Sequence, residues 1–214
     1  HEMLHWAAGA RLPVVMAEVN RALGAPWNLW ADQTDSLSQR DTGWLQFYCS
    51  TNQEILDSVL IAYKAAEALL LPAMVCYDGF ILSHTYEAVD IPEQAAVDRF
   101  LPALKHPFAI DKANPRAFSA LPKPAEFFRL RRRMAADMDR ASGVIAAAEA
   151  EFAAAFGRRY AAVEEHRADD AEVLLVVSGA AASTALEAVD RLRSEGCRAG
   201  SLRIRQFRPF PAAE

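Results

Sequence analysis

The stretch from Asp32 to Trp44, DQTDSLSQRDTGW, sets one arginine among three aspartates and follows it with a Thr-Gly-Trp step. A guanidinium offers a planar fork of donors that matches a carboxylate. Arg40 could therefore grip an acid group brought from outside, with Asp32, Asp35 and Asp41 fixing its orientation by hydrogen bonds. The same charges could equally form a surface network that contributes little. The residue types alone leave both readings open. Trp6, Trp27, Trp30 and Trp44 all fall in the first 44 residues, so the stretch has aromatic surroundings.

Other residues with chemical potential are fewer. His84, in ILSHT, follows the carboxyl end of an expected strand, where open α/β sheets place ligands; its plainer reading is a hydrogen-bonded structural histidine. Ser178 and Gly179 precede a helix start and could hold an anion, although an ordinary strand–helix turn accounts for them too. GxGxxG, the P-loop, GxSxG and HExxH do not occur. Cys49, Cys76 and Cys197 form no CxxC pair, so neither a zinc nor an iron–sulfur site built by this chain alone is expected, and no metal ligand set is assigned. Cys49 and Cys76 lie in apolar stretches and read as buried free thiols, which suits the reducing cytoplasm.

The elements that must position these residues alternate. A helix is expected at 2–10, a strand at 12–19, an irregular segment at 20–43, a strand at 44–49, a helix from about 52 to 70 and a strand at 71–78. Thr51 and Glu54 form a capping box at the start of the second helix. Strands with near-continuous apolar character, separated by helices, argue for an α/β fold with a mainly parallel sheet covered on both faces. A short helix follows at roughly 93–101, with Pro92 at its first position. Five prolines make residues 102–124 a meandering arm. One amphipathic helix is expected from about Ala125 to Phe156, roughly 45 Å long, with Met134, Met138, Ala141, Ile145, Ala148 and Phe152 on one stripe. Its basic run RLRRR (129–133) reads as a solvated face or an intersubunit patch.

The polar stretch EEHRADDAE (164–172) reads as a boundary. Beyond it come a buried strand at 173–179, a helix of about 181–195 stopped by Gly196 and a strand at 200–207. Residues 1–165 are therefore expected to form one domain, and residues 168–214 to open a second.

Composition excludes whole function classes. The chain is 52% hydrophobic and 24% charged, which is a folded globular composition rather than a disordered one. No apolar run approaches the roughly 18 residues of a membrane span, and a net charge of −5 gives no reason to expect nucleic acid. Acids outnumber bases in residues 1–111, and bases outnumber acids beyond. The chain opens HEML, without an initiator methionine and with a helix-like segment already under way, so it reads as an internal fragment of a longer protein.

A long ordered similarity then emerges. Residues 14–57, VVMAEVNRALGAPWNLWADQTDSLSQRDTGWLQFYCSTNQEILD, resemble the alpha subunit of 2-oxoacid:ferredoxin oxidoreductases, the family of pyruvate:ferredoxin oxidoreductase (pyruvate synthase). The resemblance continues through LPAMVCYDGFILSHT (71–85) and VDIPEQAAVDRFLP (89–102) and resumes at LRIRQFRPFPA (202–212). It implies a thiamine-diphosphate pyrimidine-binding domain followed by the start of a transketolase-C-terminal-like α/β domain. It also implies oxidative decarboxylation of pyruvate or a related 2-oxoacid to acyl-CoA, with electrons passing to ferredoxin. Thiamine diphosphate would be shared with a beta subunit, while Mg²⁺ and [4Fe–4S] clusters would sit on partner chains. Beta, gamma and delta subunits would be partners, and coenzyme A and ferredoxin co-substrates.

Arg40 matches the family's arginine before a Thr-Gly step, which contacts the substrate carboxylate. Asp32, Gln33 and Asp35 are candidates to contact the cofactor, although relatives carry Asp-His-Gln-Asp where this chain has DQTD. The family's proton-shuttling glutamate and substrate-binding threonine would lie upstream of residue 1, so the 214 residues alone should be inactive. The competing expectations are a non-catalytic docking module of such a complex and a transketolase-like thiamine enzyme. The similarity across both expected domains disfavours the latter.

Overall fold

The computed structural model describes residues 1–117 and 121–212, so part of the expected proline-rich arm lies outside the described residues. The first sheet has the order β1-β3-β2-β7. Strands β1 (Val15–Asn20), β2 (Leu45–Tyr48) and β3 (Ala73–Asp78) run parallel, and β7 (Gln206–Arg208) joins β2 antiparallel. The first three lie within a few residues of the expected strands. Parallel neighbours need a crossover, and α3 (Asn52–Leu69) supplies it between β2 and β3.

Both faces of this sheet are covered. On one, Leu45, Phe47 and Val75 pack with Ala62, Ala65, Ala66 and Leu69 of α3 and with Ala141 and Ile145. On the other, Trp44, Tyr48, Met74 and Cys76 pack with Ala8 of α1 (Glu2–Gly9) and with Met134. Each fully buried Leu, Ile or Phe contributes about 1.5–3 kcal/mol. The single helix expected over 125–156 is two. The first residue of its stripe, Met134, belongs to one face and the third, Ala141, to the other, so a straight rod cannot serve both. The short helices α2 (Thr34–Leu37) and α4 (Gln94–Phe100) precede them. Helix α5 (Pro124–Asp139) then ends at Arg140, and α6 (Ala141–Phe156) restarts beside Ser142 and Gly143, a pair of the kind that admits sharp bends. The expected stripe is nonetheless the buried one. The run 129–133 is exposed on α5.

The capping box is only half made. Thr51 Oγ1 accepts the Glu54 N–H at 3.2 Å, but the Glu54 carboxylate takes the Ser50 N–H rather than that of Thr51. Pro92 lies ahead of Glu93, which caps α4, and so outside that helix.

The second sheet corrects three expectations. The polar boundary at 164–172 contains a strand, β4 (Val163–His166), which pairs antiparallel with β6 (Ala199–Ile204). Between them lie β5 (Val173–Val177) and α7 (Ala181–Ser194). The order β4-β6-β5 leaves β5 at an edge. Val173, Leu174 and Val176 are 52%, 46% and 62% exposed there, so the strand is not buried. Finally, the strand expected at 200–207 divides. Its first part lies in the second sheet and its last part, as β7, in the first. The break is at Arg205, which is fully buried and ion-paired to Glu54 and Glu149. Among the described residues no helix is long and apolar enough to cross a membrane.

The three cysteines are free. Cys49 and Cys76 are buried, and Cys197 is exposed. Burial, reinforced by the nearby Glu54 carboxylate, pushes the Cys49 thiol up to about 12, and burial pushes Cys76 well above the usual thiol range. The thiolate, not the thiol, attacks a disulfide reagent. Native protein titrated with a chromogenic disulfide at pH 8 is expected to release one equivalent within minutes and three after denaturation; two or more native equivalents would contradict the burial.

Candidate functional site

The segment that carries Arg40 leaves the carboxyl end of β1 and is pinned at once. Asn20, the last residue of β1 and fully buried, donates through Nδ2 to Asp35 Oδ1 at 2.6 Å and to Ser36 Oγ at 2.5 Å. Ser36 Oγ also meets the Tyr48 hydroxyl at 2.8 Å, at the carboxyl end of β2. Gln46 Nε2 donates to the Ser36 carbonyl at 2.8 Å. Burial pushes the Tyr48 phenol well above its ordinary value, so it stays a neutral hydroxyl. Helix α2 is thus bolted across the carboxyl ends of β1 and β2, where open α/β sheets present their ligand crevice.

Arg40 follows directly. Its Nη1 donates to the Leu37 carbonyl of α2 at 3.2 Å, and its Nε lies 3.8 Å from Asp41 Oδ2. The side chain is 55% exposed. Asp32 and Asp35 do not orient it, contrary to the reading from residue types. Asp32 Oδ1 accepts the Thr34 N–H at 2.7 Å, and hydrogen bonds from Thr34 hold its carboxyl below the usual range. Asp35 Oδ2 accepts the Arg21 N–H at 2.7 Å, and its Oδ1 takes those of Asn20 and Ser36. Aspartates commonly bond the backbone of their own turn. The guanidinium fork is therefore left largely free.

The Thr-Gly step is structural. Thr42, fully buried, donates to the Gln39 carbonyl at 2.6 Å. Gly43 has φ of +89°, and a Cβ there would meet Ala8 Cβ at 3.1 Å and the Met134 methyl at 3.2 Å. Trp44 is core and donates to the Leu4 carbonyl, whereas Trp6, Trp27 and Trp30 are exposed. Arg21 lies over the Trp27 ring at 5.1 Å.

Two other sequence candidates resolve differently. His84 is exposed, stacks on Phe80 at 4.4 Å and shares a hydrogen bond with Ser83. The anion-holding turn at Ser178–Gly179 already holds an anion of the chain itself: Asp78 Oδ2 accepts the Ala180 N–H at 2.6 Å. Gln33 reaches the same turn, against Gly179.

Asn20, Ser36, Tyr48 and Asp78 were not singled out from the sequence. The available signal was polarity inside apolar runs, as in MAEVN, WLQFYC and AMVCYD, because a buried polar group must find a partner.

Comparison with known proteins gives a consistent set of matches. Residues 1–150 match the thiamine-diphosphate-binding domain of pyruvate flavodoxin/ferredoxin oxidoreductase. Residues 171–214 match core domain II of pyruvate:ferredoxin oxidoreductase. The whole chain is 50% identical to ketoisovalerate oxidoreductase subunit VorA of Pyrococcus abyssi, covering 55% of that protein. It is 50% identical to pyruvate synthase subunit PorA of Pyrococcus furiosus, again covering 55% of it, and 46% identical to PorA of Methanothermobacter thermautotrophicus, covering 56%. The chain thus spans little more than half the length of these relatives. A solved 2-oxoglutarate:ferredoxin oxidoreductase from Magnetococcus marinus aligns with 99% of this chain and 40% of its own, at a TM-score of 0.64 and 15% identity, which shows a shared fold.

Proposed function

We propose, from the premise that the chain belongs to the pyruvate flavodoxin/ferredoxin oxidoreductase family, that it is part of the alpha subunit of a thiamine-diphosphate-dependent 2-oxoacid:ferredoxin oxidoreductase. The reaction converts a 2-oxoacid, coenzyme A and two oxidised ferredoxins to acyl-CoA, carbon dioxide, two reduced ferredoxins and a proton. The carrying observation is Arg40, a half-exposed guanidinium that Asp32 and Asp35 leave unpaired, on a segment pinned across the carboxyl ends of β1 and β2. Pyruvate is the default substrate. Branched 2-oxoacids and 2-oxoglutarate are the other members of the class, in line with the names of the relatives.

Thiamine diphosphate, when bound, supplies the nucleophilic carbon for the 2-oxo group. This chain's part is to bind and orient. Arg40 fits the substrate carboxylate, because a planar cation neutralises it and fixes the direction in which it leaves. Asp32, Gln33 and Asp35, on the same segment, are the candidates to contact the cofactor, and Asp32 and Asp35 also brace its backbone. The beta, gamma and delta partners, with Mg²⁺ and the [4Fe–4S] clusters on them, belong to this proposal. So do the cytoplasmic location, which buried free thiols support, and the division into domains at 1–165 and 168–214.

A second reading, a non-catalytic docking module, draws support from α5, where Phe127 and Phe128 are 56% and 68% exposed. The two separate in a reconstituted complex of the full-length chain with its partner subunits. Ferredoxin reduction is expected with at least one of pyruvate, 3-methyl-2-oxobutanoate and 2-oxoglutarate, dependent on both coenzyme A and thiamine diphosphate. An assembled, cofactor-loaded complex that turns over none of the three would overturn the assignment.

A further inference from the structure

Three parts of the chain that are distant in sequence meet at one point. Asp78 ends β3 of the first sheet and is 3% exposed. Its Oδ2 accepts the N–H of Ala180, the N-cap of α7 beside the second sheet, at 2.6 Å. A carboxylate at a helix N-terminus is favoured by the unpaired N–H groups and the helix dipole. Between them lies Gly179, at φ of +66°. A Cβ on Gly179 would come within 2.6 Å of Asp78 Oδ2 and would also strike the Gln33 amide nitrogen. Gln33 therefore lies across the bare face of Gly179, so the Arg40 segment touches the second α/β unit here.

From Gln33 the connection to Arg40 runs through the short helix α2 and the turn after it. The Gln33 carbonyl accepts the Leu37 N–H at 2.9 Å, and the Leu37 carbonyl accepts from the Arg40 guanidinium at 3.2 Å. The far side of the turn is fixed to the first sheet through Asn20, Ser36 and Tyr48. The near side is held by what Gln33 packs against.

We propose that Gln33, seated on Gly179 beside Asp78, is a positioning residue through which the second α/β unit sets the placement of the Arg40 fork. Gln33 and Asp78 do not touch the substrate; they fix where the carboxylate grip sits. The assignment rests on the reading of Arg40 above and adds to it a contact that spans the two sheets.

The test is a double-mutant cycle in the reconstituted full-length complex. Gln33→Ala removes the amide, and Gly179→Ala forces it aside. Each is expected to raise KM for the 2-oxoacid about tenfold, since small displacements of a positioning group have effects of this size. The kcat and the KM for coenzyme A should stay within about twofold. The double variant should be no worse than Gly179→Ala alone, because that change already displaces the amide, besides pressing on Asp78. Additive losses, or KM values for 2-oxoacid and coenzyme A that rise together, would overturn the proposal. Should Gly179→Ala fail to fold, Gln33→Ala alone decides: an unchanged 2-oxoacid KM rejects the positioning role. If Arg40→Ala also leaves that KM unchanged, the carboxylate reading has failed. If Arg40→Ala raises it and Gln33→Ala does not, only the positioning role has failed.

Discussion

Glu54→Ala is expected to destabilise the chain by about 3–5 kcal/mol, the cost of removing one partner from a buried ion pair. Glu54 is 2% exposed. Its Oε1 accepts from Arg205 Nε at 2.7 Å and from Arg203 Nη2 at 2.6 Å, and its Oε2 accepts from the Ser50 N–H at 2.8 Å. Arg205 is wholly buried, and its remaining donors go to Glu149 and to Ser58 Oγ. Arg203 keeps Glu164 and the Tyr48 carbonyl. Deleting the Glu54 carboxylate leaves the fully buried Arg205 guanidinium with one acid, Glu149. The consequence reaches beyond stability, because Arg203 and Arg205 lie on the stretch that leaves the second sheet and enters the first. Their pairing with α3 holds the two sheets together. For a chain of this size each kcal/mol moves the midpoint by about 2–4 °C, so the thermal unfolding midpoint should fall by roughly 10 °C. Glu54→Gln should fall between, since it keeps the volume and one acceptor but turns an amide donor towards a cation. A drop of less than about 1 kcal/mol for Glu54→Ala would contradict the network.

Arg40→Ala carries the largest expected effect on activity. A hydrogen bond to a charged group is worth about 1.5–3 kcal/mol, so kcat/KM for the 2-oxoacid should fall by about 10- to 150-fold. Most of the loss should appear in KM. The carboxylate is the group that departs as carbon dioxide, so its charge, and with it the pull of the guanidinium, fades towards the transition state. An interaction no stronger there than in the ground state lowers KM without raising kcat. Arg40→Lys should recover part of the loss, because it restores the charge but not the two-pronged geometry. Half-exposed guanidinium–carboxylate pairs in water contribute little. The side chain is 55% exposed in this chain, so the 214 residues alone should show no measurable affinity for pyruvate, and the grip should strengthen only when partners cover it.

Much of the fold could be read from pattern. The apolar runs of β1, β2 and β3 and the Thr51 cap of α3 mark the parallel core. The site was legible by residue type and not by partner. Arg40 stands out among three acids, yet Asp32 bonds the backbone of its own turn, and Asp35 the N–H groups of Ser36, Arg21 and the Asn20 side chain, instead of the arginine. No periodicity reports that competition. The break at Arg140 was hidden because the apolar stripe continues through it; only Ser142–Gly143 marked the joint. The division of the last strand was hidden in the same way. Arg203 in β6 and Arg205 at the break both reach Glu54, whereas two arginines at alternate positions of a run read as one solvated face of a continuous strand. The contact of Gln33 with Gly179 joins positions far apart in sequence, and neither shows a local signature of the other.

The most direct measurement is inhibition of the assembled complex by oxamate, a carboxylate isostere of pyruvate, and by methyl pyruvate, its neutral ester, with and without Arg40→Ala. Oxamate should lose about 10- to 150-fold in affinity on substitution, while methyl pyruvate stays within about twofold. Equal shifts for both inhibitors, or none for either, would contradict a carboxylate-gripping Arg40.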